Sequence, residues 1–275
     1  MNLSKTLYVS DLDGTLLNPE MRVTENSARI IDALLERGIL FTYATARSLS
    51  SASTVAPNVN TSGPVVVYNG GLIIDPKTHE TLLSHSFDSQ EVEDIRSHLE
   101  RLDIHPLVYA SVSGVEKVSW IIENENPGIQ AYYRSRAGDK RFRPLHRGAD
   151  LYEGEVFYFT CIGTKTEVEP LYEALKEDPR FNCIFHEELY SKDYWCEIMP
   201  RQATKANAIL HLKQLWGCDR LVVFGDGLND ISMFRVADEC YAVANAVPEL
   251  KAVATEVIGA NHEDSVARWL AEHAK

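Results

Sequence analysis

Along the chain, short continuous apolar runs alternate with stretches in which apolar residues return every three or four positions. Leu7-Tyr8-Val9, residues 39–44, residues 65–68 and Leu221-Val222-Val223-Phe224 have the length and composition of strands buried on both faces. Between the first two, residues 24–37 place Ala28, Ile31 and Leu35 on one stripe, with Ile30 and Leu34 beside it and Gly38 to stop it. That spacing predicts an amphipathic helix, and strand, helix, strand in this rhythm predicts a parallel sheet with helices on its faces. The rhythm returns near the other end of the chain. A helix is expected over 204–216, ended by Gly217, then a strand over 240–243, a helix opened by Pro248 and a last helix over 263–271.

Between these two parts the period changes. A short hairpin is expected over 72–74 and 81–83. A helix capped by Asp88 follows, with Val92, Ile95, Leu99 and Leu102 on one face, and then a hairpin over 107–112 and 115–122 that turns at Ser113-Gly114. A helix over 127–136, a strand over 155–162, a helix over 167–176 and strands over 181–186 and 194–198 complete the middle. The expected fold class is therefore α/β: a Rossmann-like parallel-sheet core with helices on both faces, plus an inserted α+β cap domain. The core is discontinuous, residues 1–84 and 200–275, and the cap spans residues 85–199. Hinges near Ser84 and Pro200 would let the insert act as a lid.

Composition narrows the function. With 275 residues and 45% apolar content the chain can build two cores. Its net charge of -13 sets the average surface against nucleic-acid backbones and favours small-molecule partners. The five cysteines are scattered, odd in number and without Cys-x-x-Cys spacing, which argues against a disulfide framework and a zinc site and for a reducing compartment. Neither a leader pattern nor a bilayer-length apolar run precedes or interrupts the strands, so a cytoplasmic protein without a membrane partner is expected.

The candidate chemistry lies where strands end. Leu7-Tyr8-Val9 runs into Asp11, and Asp13 follows two positions later; in an extended segment both would face one side, at the sheet edge where ligands of open parallel sheets collect. Gly14 permits a tight turn, and the Thr15 hydroxyl can bond it. Two acids beside a glycine also fit an ordinary strand-ending turn. The balance shifts with Gly225-Asp226-Gly227-Leu228-Asn229-Asp230, which follows a second buried-looking run. Acids crowded at two strand ends call for a hard cation such as Mg²⁺. Thr45 and Arg47 end the strand over 39–44 and reach the same edge, where a hydroxyl and free amides suit a phosphate oxygen as well as a helix cap. Lys205 opens a helix, where the dipole disfavours it, and so points to a function.

The segments Asp11-Leu12-Asp13-Gly14-Thr15, Ala44-Thr45-Ala46-Arg47, Lys205 and Gly225 to Asp230, in that order, resemble the haloacid dehalogenase superfamily in its branch of Cof-like phosphatases with a large cap. Tyr68-Asn69-Gly70-Gly71, Ala244-Asn245-Ala246 and Asn261-His262-Glu263-Asp264 extend the resemblance; the middle of the chain matches only in size and character. The resemblance implies a Mg²⁺-dependent phosphatase of small phosphorylated metabolites such as sugar phosphates. Asp11 would be the nucleophile that becomes an aspartyl-phosphate, and Asp13 the acid and base that also offers its main-chain carbonyl to the metal. Asp226 would be the third protein ligand of the metal, with Asp11 and Asp13. Thr45, the Ala46 amide, Arg47, Asn229 and Lys205 would hold phosphate oxygens, with Thr15, Asn69 and Asp230 in support. The expected assembly is a monomer or weak homodimer.

Two other functions remain open at this level: a phosphosugar mutase of the same superfamily, and a non-catalytic protein that binds Mg²⁺ and a phosphometabolite. In the insert, Arg134, Arg136, Lys140, Arg141, Arg143 and Arg147 form a basic run in an acidic chain. It reads either as solvated charge or as a reader of a second anionic group on the substrate.

Overall fold

The computed structural model describes residues 5–187 and 192–275. It divides into two compact units, Met1–Ser84 with Ala203–Lys275, and His85–Gln202.

The first unit is built on a five-stranded sheet whose strands all run parallel, in the order Glu256–Val257, Glu239–Ala242, Arg220–Gly225, Thr6–Ser10, Leu40–Tyr43. Thr6–Ser10 is buried along its whole length and bonded on both sides, Tyr8 lying opposite Val222 and Phe41, as its apolar run requires. The helix expected over 24–37 is Glu25–Glu36, with the Thr24 hydroxyl accepting from the Ser27 amide and Gly38 past its end. The run at Val65–Val67 does not extend the parallel sheet. It heads a separate antiparallel sheet with Leu72–Ile74 and Thr81–Ser84, and is joined to the parallel system by a parallel bridge from Ala44 to Val66. The reason is local: Tyr68 and Asn69 take left-handed backbone and send the chain straight back alongside itself.

The second unit carries a six-stranded sheet, ordered Phe181–Glu187, Tyr194–Pro200, Glu155–Gly163, Leu107–Val112, Val115–Ile121, Phe142–Leu145. The hairpin turns at Ser113 and Gly114, both at positive φ, as a two-residue connection demands. Ser89–Leu102 and Lys165–Leu175 supply Ile95, Leu99, Val168, Leu171 and Leu175 to a core with Val108, Phe159, Cys161 and Ile198 from the sheet. Asp88 and Glu91 close a reciprocal capping box at the first of these helices. Among the described residues, no helix is long and apolar enough to cross a membrane.

Candidate active site

Asp11 sits where Thr6–Ser10 ends, its amide still donating to Phe224 of the neighbouring strand. The chain then leaves the extended path at once, turning through Leu12–Leu16, with Gly14 at φ 71°. A Cβ at Gly14 would lie 2.1 Å from Asp226 Oδ2, so the turn and the second acidic loop can close together only with glycine there. This turn also overrides the alternation that would have aimed Asp11 and Asp13 at one spot. The Asp11 carboxylate is buried against Lys205, while that of Asp13 meets Arg47, whose Nε and Nη2 donate to its two oxygens at 2.8 and 2.7 Å. Arg47, expected on phosphate, is held by Asp13 and by the Ser51 hydroxyl.

Lys205 is the first residue of the helix Lys205–Leu215 and is 1% exposed. Its ammonium donates to Asp11 Oδ1 at 2.5 Å and to Asp230 Oδ1 at 2.7 Å. Burial alone would strip its proton, but the two carboxylates outweigh that and hold its pKa above the ordinary lysine value. The backbone delivers it there: Gly70, at φ 98°, lies so close to Thr204 that a Cβ would come within 2.2 Å of the Thr204 carbonyl oxygen. Asn69 joins the same junction, its amide donating to the Thr45 carbonyl and its side-chain oxygen accepting from Asn229 at 3.2 Å. Thr45 is fully buried, and its hydroxyl accepts from the Arg47 amide, which caps its own turn; Ala46 and Asn229 are exposed.

Asp230 is wholly buried and fully employed. Its Oδ2 accepts from the amides of Asp226 and Gly227 at 2.9 and 3.0 Å, and its Oδ1 from Lys205. Such a carboxylate shapes its loop and aims the lysine. Asp226 is different: the only hydrogen bond its carboxylate receives among the described residues is from the Thr15 hydroxyl, at 3.3 Å. Thr15 thus serves the facing acid rather than its own turn. Burial, then repulsion from Asp230, pushes the Asp226 carboxyl up to about 6. Burial likewise pushes Asp11 up, against the pull of Lys205.

Carboxylate oxygens of Asp11, Asp226 and Asp230 come within 4.8 Å of one another, and the Lys205 ammonium bonds only Asp11 and Asp230 of the three. An all-oxygen donor set with surplus negative charge fits a hard divalent cation, and Asp226, raised and under-bonded, is the residue that most needs one.

Sequence reasoning assigned no role to Asn245 and Asn261. Asn245 donates to the Gly14 carbonyl at 2.7 Å and accepts from the Asn261 amide at 2.9 Å, and Asn261 in turn donates to the Leu17 carbonyl at 2.8 Å. They brace the middle and the far end of the Asp11–Leu17 turn. Asp264 accepts from Thr24, Asn26 and Ser27 and ties the start of the last helix to the first. In the other unit the basic run is mostly spoken for. Arg141 is locked between Asp139 and Glu116, Arg143 pairs with Glu153, and Arg136 lies over the Tyr132 ring at 4.1 Å.

Comparison with known proteins agrees with this geometry. A profile of haloacid dehalogenase-like hydrolases matches residues 8–270. The Bacillus subtilis protein YwtE, a 5-amino-6-(5-phospho-D-ribitylamino)uracil phosphatase, is 27% identical over 277 residues, covering 94% of this chain and 95% of its own. Among solved structures, a Thermotoga maritima protein superposes with a TM-score of 0.79 at 23% identity, over 99% of this chain and 98% of its own. The subclass IIB sugar phosphatase BT4131 superposes with a TM-score of 0.72 at 20% identity, over 98% of each chain. The chain therefore belongs to the haloacid dehalogenase-like hydrolases, a family in which its full-length relative YwtE is a phosphatase.

Proposed function

We propose that this enzyme is a Mg²⁺-dependent phosphatase of small phosphorylated metabolites, and that Asp11 attacks the phosphorus and carries the phosphoryl group as an aspartyl-phosphate. One observation carries the reading: Asp11, buried at a strand end, gives one oxygen to Lys205 and keeps the other without a hydrogen-bond partner among the described residues. A carboxylate is a weak nucleophile toward a dianion, and it needs fixed positive charge beside the phosphoryl oxygens before attack becomes feasible. Lys205 supplies one such charge, held in place by Asp230. Mg²⁺, when bound, supplies the rest as a Lewis acid; Asp11, Asp226 and the main-chain carbonyl of Asp13 are the residues that would hold it.

Asp13 protonates the leaving alcohol and later takes the proton of the attacking water. For this it must leave Arg47, so the pair with Arg47 is a resting arrangement that holds Asp13 until substrate enters. Thr45, the Ala46 amide and Asn229 receive the phosphoryl oxygens. The His85–Gln202 unit selects the organic part of the substrate. The ribityl phosphate in the name of YwtE and the sugar phosphates implied for BT4131 make phosphorylated polyols the first compounds to assay.

The test is chemical trapping. Brief incubation with ³²P-labelled substrate and Mg²⁺, followed by acid quench, should leave label on the protein that hydroxylamine removes. Asp11→Asn should carry no label and lose about 10⁴-fold or more in turnover, the scale of nucleophile removal. Label that persists in Asp11→Asn would place the nucleophile elsewhere. A rate that depends on a catalytic sugar bisphosphate would favour a mutase.

A further inference from the structure

The His85–Gln202 unit holds two adjoining cavities of about 310 and 540 Å³, which share Glu100, Ile121, Asn124, Leu151 and Tyr152. They lie where the helix Ser89–Leu102 ends, against the last residues of the strand Val115–Ile121 and the turn around Gly148. This is the size range of small-molecule sites. We propose that it is a second ligand site, one that takes a small zwitterion with an apolar body, such as a branched or aromatic amino acid.

The floor is apolar. Leu99 and Ile104 are buried beneath it, and Ile121 and Leu151 form its walls. The rim carries both signs of charge: Glu100 and Asp103 at the first cavity, and Arg96, Arg147 and Asp150, with Glu100 again, at the second. A purely apolar guest would leave this rim unused, and a simple anion would face three acids. An amino acid pairs its ammonium with Glu100 and its carboxylate with Arg147 while its side chain covers the floor.

Two polar atoms at the site make no hydrogen bond among the described residues, although the Arg96 guanidinium is ion-paired to Glu93 and Glu100. Arg96 Nε is buried without a hydrogen bond, 3.6 Å from Glu100 Oε1, and the Tyr152 hydroxyl has no hydrogen-bond partner among the described residues. Both are donors, which a carboxylate accepts. The Tyr152 hydroxyl is also pushed up to about 12, chiefly by burial, and so remains a donor at neutral pH. Arg147 is committed only weakly, to Asn124 Oδ1 at 3.3 Å, so it can turn to a ligand without breaking an ion pair. Asn124 links it to His105, whose Nδ1 lies 3.2 Å from the Asn124 amide nitrogen.

Calorimetric titration of the full-length protein with leucine, isoleucine, valine and phenylalanine tests the site, alongside 4-methylpentanoate and 3-methylbutylamine, which each lack one of the two charges of leucine. At least one amino acid should bind, and each analogue should bind tenfold or more weakly. Arg147→Gln and Glu100→Gln should each weaken the amino acid about tenfold. Ile121→Trp, which fills the site from its half-buried wall, should abolish binding at an unchanged melting temperature. No heat from any amino acid up to about 10 mM would overturn the proposal. So would an acid analogue that binds the parent protein as tightly as leucine, which would make the site a simple anion pocket. The titrations of the unaltered protein decide the matter even if a variant fails to fold.

Discussion

A cation held between two carboxylates occurs in both units of this protein, and Lys205 in the first and Arg141 in the second behave in opposite ways. Arg141 in the second unit spends its fork on both oxygens of Asp139 and reaches Glu116 with its remaining arm at 2.6 Å. Burial works against the Asp139 carboxylate, yet the bonds from Arg141 outweigh it and hold Asp139 below its usual range. That triad is satisfied. Lys205 in the first unit is a compact charge with three donors; one goes to Asp11 and one to Asp230, and burial pushes Asp11 up in spite of it. A planar guanidinium saturates its partners, whereas an ammonium leaves one partner partly unsatisfied and open to a further electrophile. The same charge count thus yields a strut in one place and an under-satisfied carboxylate, the proposed nucleophile, in the other.

The comparison breaks first at Lys205. Lys205→Met should leave two buried carboxylates unpaired, cost about 3–5 kcal/mol in urea unfolding and remove activity altogether. A stable, active variant would show that the triad is not what holds Asp11. Arg141→Met should cost about 1–3 kcal/mol while the hydrolysis rate of a plain aryl phosphate stays within a factor of about two. A rate collapse there would mean that this strut is part of the chemistry.

The smallest effect sharpens the electrostatics. Because the folded-state pKa of Asp226 is raised above its unfolded value of 3.8 to about 6, the folded protein holds that proton more tightly. In chelator, its contribution should favour the fold below pH 4, decline between about pH 4 and 6 and stay lost above that. Mg²⁺ should flatten the decline, and Asp226→Asn should remove the slope with and without metal. A parent protein whose stability in chelator rises through that window as steeply as that of Asp226→Asn would refute the assignment of charge crowding to Asp226.

Much of this was written in residue order. Thr24 and Gly38 bracket the first helix within two residues of its ends, and the acids at 11, 226 and 230 and the misplaced Lys205 all converge. What stayed hidden depended on partners distant in sequence. The helix Leu49–Val55 has the composition of a loop, rich in Ser and Thr, and is held by its Ser48 cap and by the burial of Leu49 and Ala52. Phe142–Leu145 is an edge strand carrying Pro144 and Arg143, with no alternation to reveal it, and it exists because Val118 to Ile121 accept it in parallel. The parting of Asp13 from Asp11 followed from a turn that begins one residue earlier than an extended reading allows.

The close approach of Gly70 to Thr204 has a consequence for how the protein is made. The segment that positions the lysine, the strand Arg220–Gly225 that lies beside Thr6–Ser10, and Asp230 all leave the ribosome after the entire second unit. Until then the first strand has a neighbour on one side only, and Asp11 has no counter-ion. A nascent chain halted after residue 202 can therefore complete the His85–Gln202 sheet, whose strands all lie within the unit, but cannot complete the parallel one. Synthesis order thus makes the inserted unit the first to mature and keeps the Asp11–Lys205–Asp230 cluster unassembled until the segment after residue 202 arrives.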